Sequence, residues 1–227
     1  FLVLPVFSVY ALNCAGATLP MVGLAFGAYA LVQSLLQLPF GLASDRFGRK
    51  PLLLLGLLMF TAGSFACGYA ATVVQLTVGR ALQGTGAISS VGMASMGDLT
   101  RPQVRTQAFT ITGITVGCSF ILGLFCGPML ASRIGLSGLF YVLGFIGSLA
   151  VLITWLLFPS IPSGAVPEGT QSLKGFARNV EVRKLCLAAF VLSFLLNLFL
   201  FRYPLDWADL GFAQSGLWKV YSVIFLP

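Results

Sequence analysis

Residues 41–50 read Gly41-Leu42-Ala43-Ser44-Asp45-Arg46-Phe47-Gly48-Arg49-Lys50. They lie between two apolar runs, residues 20–43 and 51–70. Crossing the hydrocarbon core of a bilayer takes about 20 mostly apolar residues, so each run is long enough to span it. The stretch is then the short turn between two membrane spans. A turn that only holds topology needs cations there. This one also places the acid Asp45 among Arg46, Arg49 and Lys50, and sets Gly41 and Gly48 where the backbone must pack closely and turn sharply.

Composition agrees with that reading. The chain has 227 residues, 58% of them hydrophobic and 8% charged, with a mean hydropathy of +0.97. A water-facing domain carries about 25% charged residues, so this chain lacks the charges to cover one. It is an integral membrane protein, which excludes a soluble enzyme or a soluble binding module. There is no His and there are six acids. Zinc sites built on His, Ser-His-Asp triads and Cys-His pairs are therefore impossible within the chain, and no metal or cofactor is expected. The net charge of +7 and pI near 9.5 reflect Lys and Arg collected in loops, not a nucleic-acid partner. Cys14, Cys67, Cys118, Cys126 and Cys186 are scattered through apolar runs without C-x-x-C spacing and read as packing residues.

Spans are expected at residues 1–16, 20–43, 51–70, 72–96, 105–131, 136–158 and 185–203. With the first running outward, one side receives Arg46, Arg49, Lys50, Arg101, Arg105, Lys174, Arg178, Arg183 and Lys184. The other receives Arg133, Arg202 and Lys219. That split places the Asp45 loop on the cytoplasmic side of the membrane. Residues 159–184 are rich in Pro, Gly and Ser and then charged. They are expected to be a cytoplasmic linker with a short amphipathic helix near Phe176–Val182. Three domains follow: a six-helix bundle over 1–158, the linker over 159–184, and the start of a second bundle over 185–227. Both ends read as cut, from a longer protein.

The chain also echoes itself. Leu42-Ala43-Ser44-Asp45-Arg46-Phe47-Gly48 matches Leu130-Ala131-Ser132-Arg133-Ile134-Gly135 once Asp45 is skipped. Gly56 and Gly144 follow at nearly equal distances. The two segments fall on opposite sides of the membrane, as an inverted repeat of three helices plus three helices places them.

Arg80 is the single charge well inside the first six spans. Burying it in a bilayer costs several kcal/mol, which makes it a functional candidate. Gln83 follows at i+3 on the same helix face. Gln33 and Gln37 share a face at i, i+4, and Tyr10 lies in the first span; all three are candidates to line a cavity. The structural alternative for such residues is hydrogen bonding between helices. Gly123 and Gly127, four apart, let helices approach closely, and Pro128 removes a backbone donor and bends its helix.

The pattern G-x-x-x-D-R-x-G-R-K at Gly41–Lys50 resembles motif A of the major facilitator superfamily, with every fixed position present. Arg80-Ala81-Leu82-Gln83-Gly84-Thr85-Gly86-Ala87 looks like its motif B. Gly123-Leu124-Phe125-Cys126-Gly127-Pro128-Met129-Leu130-Ala131 looks like motif C of its proton-coupled antiporters, with Ala131 where Gly is usual. Leu4-Pro5-Val6 fits the drug-efflux branch, as in YajR-like transporters. The resemblance implies an all-α membrane fold in which two six-helix bundles rock about a central cavity. It implies that Gly41, Asp45, Arg46, Gly48, Arg49 and Lys50 form a conformational latch, with Asp98 beside Arg49. It further implies that Gly123, Gly127 and Pro128 seal the cavity against leak. The expected function is alternating-access transport of a small molecule, proton-coupled efflux of a drug or metabolite. The alternatives are uptake or equilibration of a metabolite without protons, and a half-transporter that serves as a scaffold. An enzyme is not expected, since no span carries a nucleophile beside a base.

Overall fold

The computed structural model describes residues 1–159, 179–211 and 216. Its elements are α1 (Phe7–Ala11), α2 (Leu19–Phe47), α3 (Arg49–Tyr69), α4 (Val73–Gly84), α5 (Ile88–Leu99), a 3-10 turn (Pro102–Val104), α6 (Arg105–Leu157) and α7 (Val180–Asp209). No strand occurs among the described residues. The protein is an all-α membrane protein. Four helical segments are long and apolar enough to cross a bilayer: Leu19–Phe47, Arg49–Tyr69, Pro102–Leu157 and Val180–Asp209.

The structure differs from the expected spans in three places. The first span is a short helix, α1, with turns on either side, in which Leu4, Val6 and Asn13 donate to carbonyls three residues back. The fourth span is two half-helices, α4 and α5, joined through Thr85-Gly86-Ala87. Thr72 starts α4 with a capping box: its hydroxyl accepts from Gln75 N–H, and the Gln75 side chain accepts from Thr72 N–H. The break follows from two glycines with weak helix preference and from crowding. A Cβ on Gly84 would stand 2.5 Å from the Tyr29 carbonyl oxygen, and one on Gly86 would stand 2.6 Å from that of Gly56. The backbone of this segment is thus wedged between α2 and α3.

The third difference is α6, which holds two spans. Gly135 interrupts it with φ 67° and ψ −175°, a conformation that other residues rarely adopt. Gly48, joining α2 to α3, has φ 92° and ψ 155°. The two glycines matched by the sequence echo are therefore both left-handed joints between consecutive spans. The matched Gly56 and Gly144 are both sites of close helix contact, since a Cβ there would strike Ile88 and Phe65 respectively. The expected linker lies mostly outside the described residues. α7 starts at Val180, where the Asn179 side chain accepts from Glu181 N–H, and runs beyond the expected 185–203 at both ends.

The core gathers Phe7 and Ala11 of α1, Val22 and Ala25 of α2, Val73 and Leu76 of α4, and Leu139 and Phe140 of α6. Many large apolar side chains, among them Leu24, Leu31, Leu35, Ile111 and Phe190, point outward. An apolar exterior is the arrangement a bilayer solvates. The turn after α1 and the joint at Gly48 mark opposite ends of the bundle, because α2 separates them.

Candidate functional site

At one end, three helix termini converge on Arg49. Asp45 closes the last turn of α2, Arg49 opens α3, and Asp98 closes α5. Each charge by itself is placed against its own helix dipole, acids at the negative ends and the cation at a positive one. Together they pair. Arg49 Nη1 lies 2.6 Å from Asp45 Oδ1, and Arg49 Nε donates to Asp98 Oδ2 at 2.8 Å. Nη1 also donates to Ser44 Oγ at 2.5 Å, and the buried Ser44 hydroxyl donates to the Gly41 carbonyl at 2.7 Å. The Arg49 side chain is 14% exposed, while its partners Asp45 and Asp98 keep 35% and 42% of theirs in contact with solvent.

The other residues of that stretch divide. Gly48 supplies the positive-φ joint that turns Arg49 back toward Asp45. Gly41 faces Ser90, where a Cβ would make ordinary contact at 3.6 Å, and the Ser90 hydroxyl donates to the Gln37 carbonyl, tying α5 to α2. Lys50 turns away from the acids and donates to the Phe158 carbonyl at 2.7 Å, capping the end of α6. Arg46 is exposed and takes no place in the described ion pairs.

A second polar cluster lies inside the bundle. Arg80 is 5% exposed and Gln83 1%. Arg80 Nη1 donates to Gln83 Oε1 at 2.7 Å, Gln83 Nε2 donates to Ser64 Oγ at 2.8 Å, and Ser64 Oγ donates to the Phe60 carbonyl. This chain joins α4 to α3, where the absence of a side chain on Gly63 lets the Gln83 backbone pass. Two rings flank the guanidinium, Tyr29 with its centroid at 4.6 Å and Phe7 at 5.3 Å. Arg80 Nε has no partner, and no carboxylate among the described residues pairs with Arg80. A buried cation held by ring faces and one amide is a strong attractor for any hydrogen-bond acceptor that can reach it.

The remaining candidates fall in different places. Gln33 and Gln37 are half-buried on α2, and Gln33 reaches the Tyr29 phenol. Tyr10 lines a separate cavity of about 340 Å³ at the opposite end of the bundle from Asp45, with Asn13, Cys14, Cys67 and Ser137. Gly123 and Gly127 pack against the first span: a Cβ on Gly123 would stand 2.9 Å from Phe1 Cβ, and one on Gly127 would strike the Leu2 carbonyl. Pro128 follows inside α6. Gly113 and Gly117, one turn apart on the same helix, meet nothing within 4 Å. Sequence reasoning missed Ser44, Ser64, Phe7 and Tyr29. For Tyr29 a signal existed, since Tyr29, Gln33 and Gln37 form a polar stripe at i, i+4 and i+8.

The two clusters fall in two of the three motif-like segments of the sequence, and the sequence profile of the Major Facilitator Superfamily matches residues 1–226. The chain belongs to the major facilitator superfamily. It is 35% identical to the Inner membrane transport protein YajR of Escherichia coli (strain K12) over 230 residues, 100% of this chain and 51% of that protein. It is 35% identical over 114 residues to Multidrug resistance protein 3 of Bacillus subtilis (strain 168), covering 49% of this chain and 22% of that protein. It is 34% identical over 114 residues to the class H Tetracycline resistance protein of Pasteurella multocida, covering 50% and 28%. The chain thus spans about half the length of YajR, the relative it matches throughout.

Proposed function

We propose that this facilitator chain is part of a transporter that moves a small molecule out of the cell by alternating access, coupled to protons. Its six-helix bundle over 1–158, linker over 159–184 and second-bundle start over 185–227 act with the rest of a monomeric protein in a bacterial inner membrane. The observation that carries the reading is Arg49, shared between Asp45 and Asp98 where three helices end. Such a three-way contact breaks or forms as a unit when the helices shift, which is what a two-state latch requires. We place it on the cytoplasmic side, closed in the outward-facing state. Drug and tetracycline resistance relatives favour efflux over uptake.

Arg80, Gln83, Tyr10, Gln33 and Gln37 form the substrate or coupling cavity of this reading, and Gly123, Gly127 and Pro128 form its seal. A second reading, transport without protons, has an observation in its favour. Asp45, Asp98, Glu181, Asp206 and Asp209 all keep contact with the surface, and none of them is buried. The test uses the full-length protein in acid-loaded vesicles, with tetracycline and ethidium as probes. Efflux that collapses with the pH gradient supports antiport; flux indifferent to it supports the second reading. Asp45→Asn that leaves both flux and cytoplasmic-side accessibility unchanged would sink the latch.

A further inference from the structure

Arg80 is covered from two directions by rings of different exposure. Phe7 is completely buried, whereas Tyr29 is half-buried and reaches the bundle surface. Of the two rings, Tyr29 is the one that meets the bundle surface and so covers Arg80 on that side. The surface reached is the one turned toward α7. Phe26, three residues before Tyr29, packs its ring 5.4 Å from that of Phe201 on α7. One turn earlier, a Cβ on Gly23 would stand 3.8 Å from the same Phe201 ring. Tyr29 and Gln33 lie at i+3 and i+7 from Phe26, so they continue this face along α2.

We propose that Tyr29 is the gate of the Arg80 site. With the ring in place the guanidinium is stacked and occluded, and its Nε–H has no acceptor. Rotation of the ring about its first side-chain torsion exposes that N–H to the space between α2 and α7 without moving either helix. The stacking of the Tyr29 ring on the guanidinium, centroid at 4.6 Å, holds the closed position. An unmet donor on a buried cation gives the open position a reward only when an acceptor arrives, preferably an anionic one. Tyr29 is thus a positioning residue that acts through Arg80. Its purpose rests on the transport reading above; its geometry does not.

The test is phenylglyoxal labelling of arginines in the full-length protein in membranes, read by peptide mapping at Arg80 and at Arg49. Arg80 is expected to label slowly in the natural protein and equally slowly in Tyr29→Phe, which keeps the ring. In Tyr29→Ala its labelling should rise roughly tenfold, the change given by losing one desolvated ring contact. Arg49, held in its own network, should label alike in all three. If Tyr29→Ala raises Arg49 as well, the fold has loosened, and Tyr29→Leu, which keeps most of the volume without a ring, decides in its place. Equal Arg80 labelling in the natural protein and in the ring-less variant overturns the gate. Labelling as expected with no transport in vesicles removes the transport reading and leaves the gate. Proton-driven transport with unchanged Arg80 labelling does the reverse.

Discussion

At the residue scale, the Arg49 cluster makes a prediction whose sign depends on geometry. Removing Arg49 leaves Asp45 and Asp98 facing each other, each at the negative end of a helix. Arg49→Ala should therefore destabilise by about 1–3 kcal/mol, more than Asp98→Asn alone, because it unpairs two acids instead of one charge. Adding Asp98→Asn to Arg49→Ala should recover part of the loss, since the repulsion goes. Thermal melting of the purified variants checks this, and a double variant less stable than Arg49→Ala would contradict it. Arg80 offers the complementary case. Gln83→Glu places a carboxylate where an amide oxygen now sits 2.7 Å from Nη1. A formerly unpaired buried cation gains a counterion, so the melting temperature should rise by about 2–8 °C. Transport should fall at the same time, because the site is then already filled. A stabilised variant with undiminished flux would remove Arg80 from the transport path.

Much of these two clusters was legible as sequence. Asp45, Arg49 and Asp98 stand at ends of apolar runs, and charges at span ends on one side of a membrane have few partners besides each other. Arg80 and Gln83 follow from i, i+3 spacing on one helix. Phe7, Tyr29 and Ser64 were not legible, because each comes from another span and the angle at which helices cross is not written in any one of them. Lys50 was misleading for a related reason. Its charge matches its neighbours in the loop, yet its amine is used 2.7 Å from the carbonyl of Phe158, over a hundred residues away in the chain.

At the scale of elements, a glycine facing the first half of the fourth span is crowded, while one within its second half is not. A Cβ on Gly63 of α3 would collide with the Gln83 backbone of α4, while one on Gly92 of α5 meets nothing within 4 Å. Gly63→Ala should then cost about 1–3 kcal/mol, because backbone cannot move aside as a side chain can. Gly92→Ala should be neutral or add about 0.5–1 kcal/mol through helix propensity alone. The pair, measured by melting on this chain, separates packing from propensity; equal effects would mean that the α3–α4 contact is looser than described. The break at Thr85-Gly86-Ala87 was not legible, since the apolar run continues through it and only the crowding by Tyr29 and Gly56 forces it. The joint at Gly135 was legible, because the echo with Gly48 carried the same backbone demand to a second place in the chain.

At the scale of the whole molecule, proton coupling is a question of where a proton can rest. A group that carries it must meet each side of the membrane in turn, which favours a site away from either end of the bundle. The described acids lie at helix termini. Asp45 and Asp98 are held by Arg49, and Asp206 is held by Arg202 at 2.6 Å with both side chains about half exposed. In the proposed transport reading, groups fixed near one end are placed to set the height of barriers between states, not to ferry protons. Asp206→Asn in the full-length transporter should therefore leave the pH dependence of vesicle efflux in place, with at most a small change in rate, as an exposed pair contributes about 0–1 kcal/mol. Asp45→Asn should alter the rate by a similar factor at every pH, because it shifts the balance of two conformations and not a titration. A pH profile flattened by Asp206→Asn would instead put the proton site at the end of α7, and the latch and the coupling group would then stand at opposite ends of the molecule.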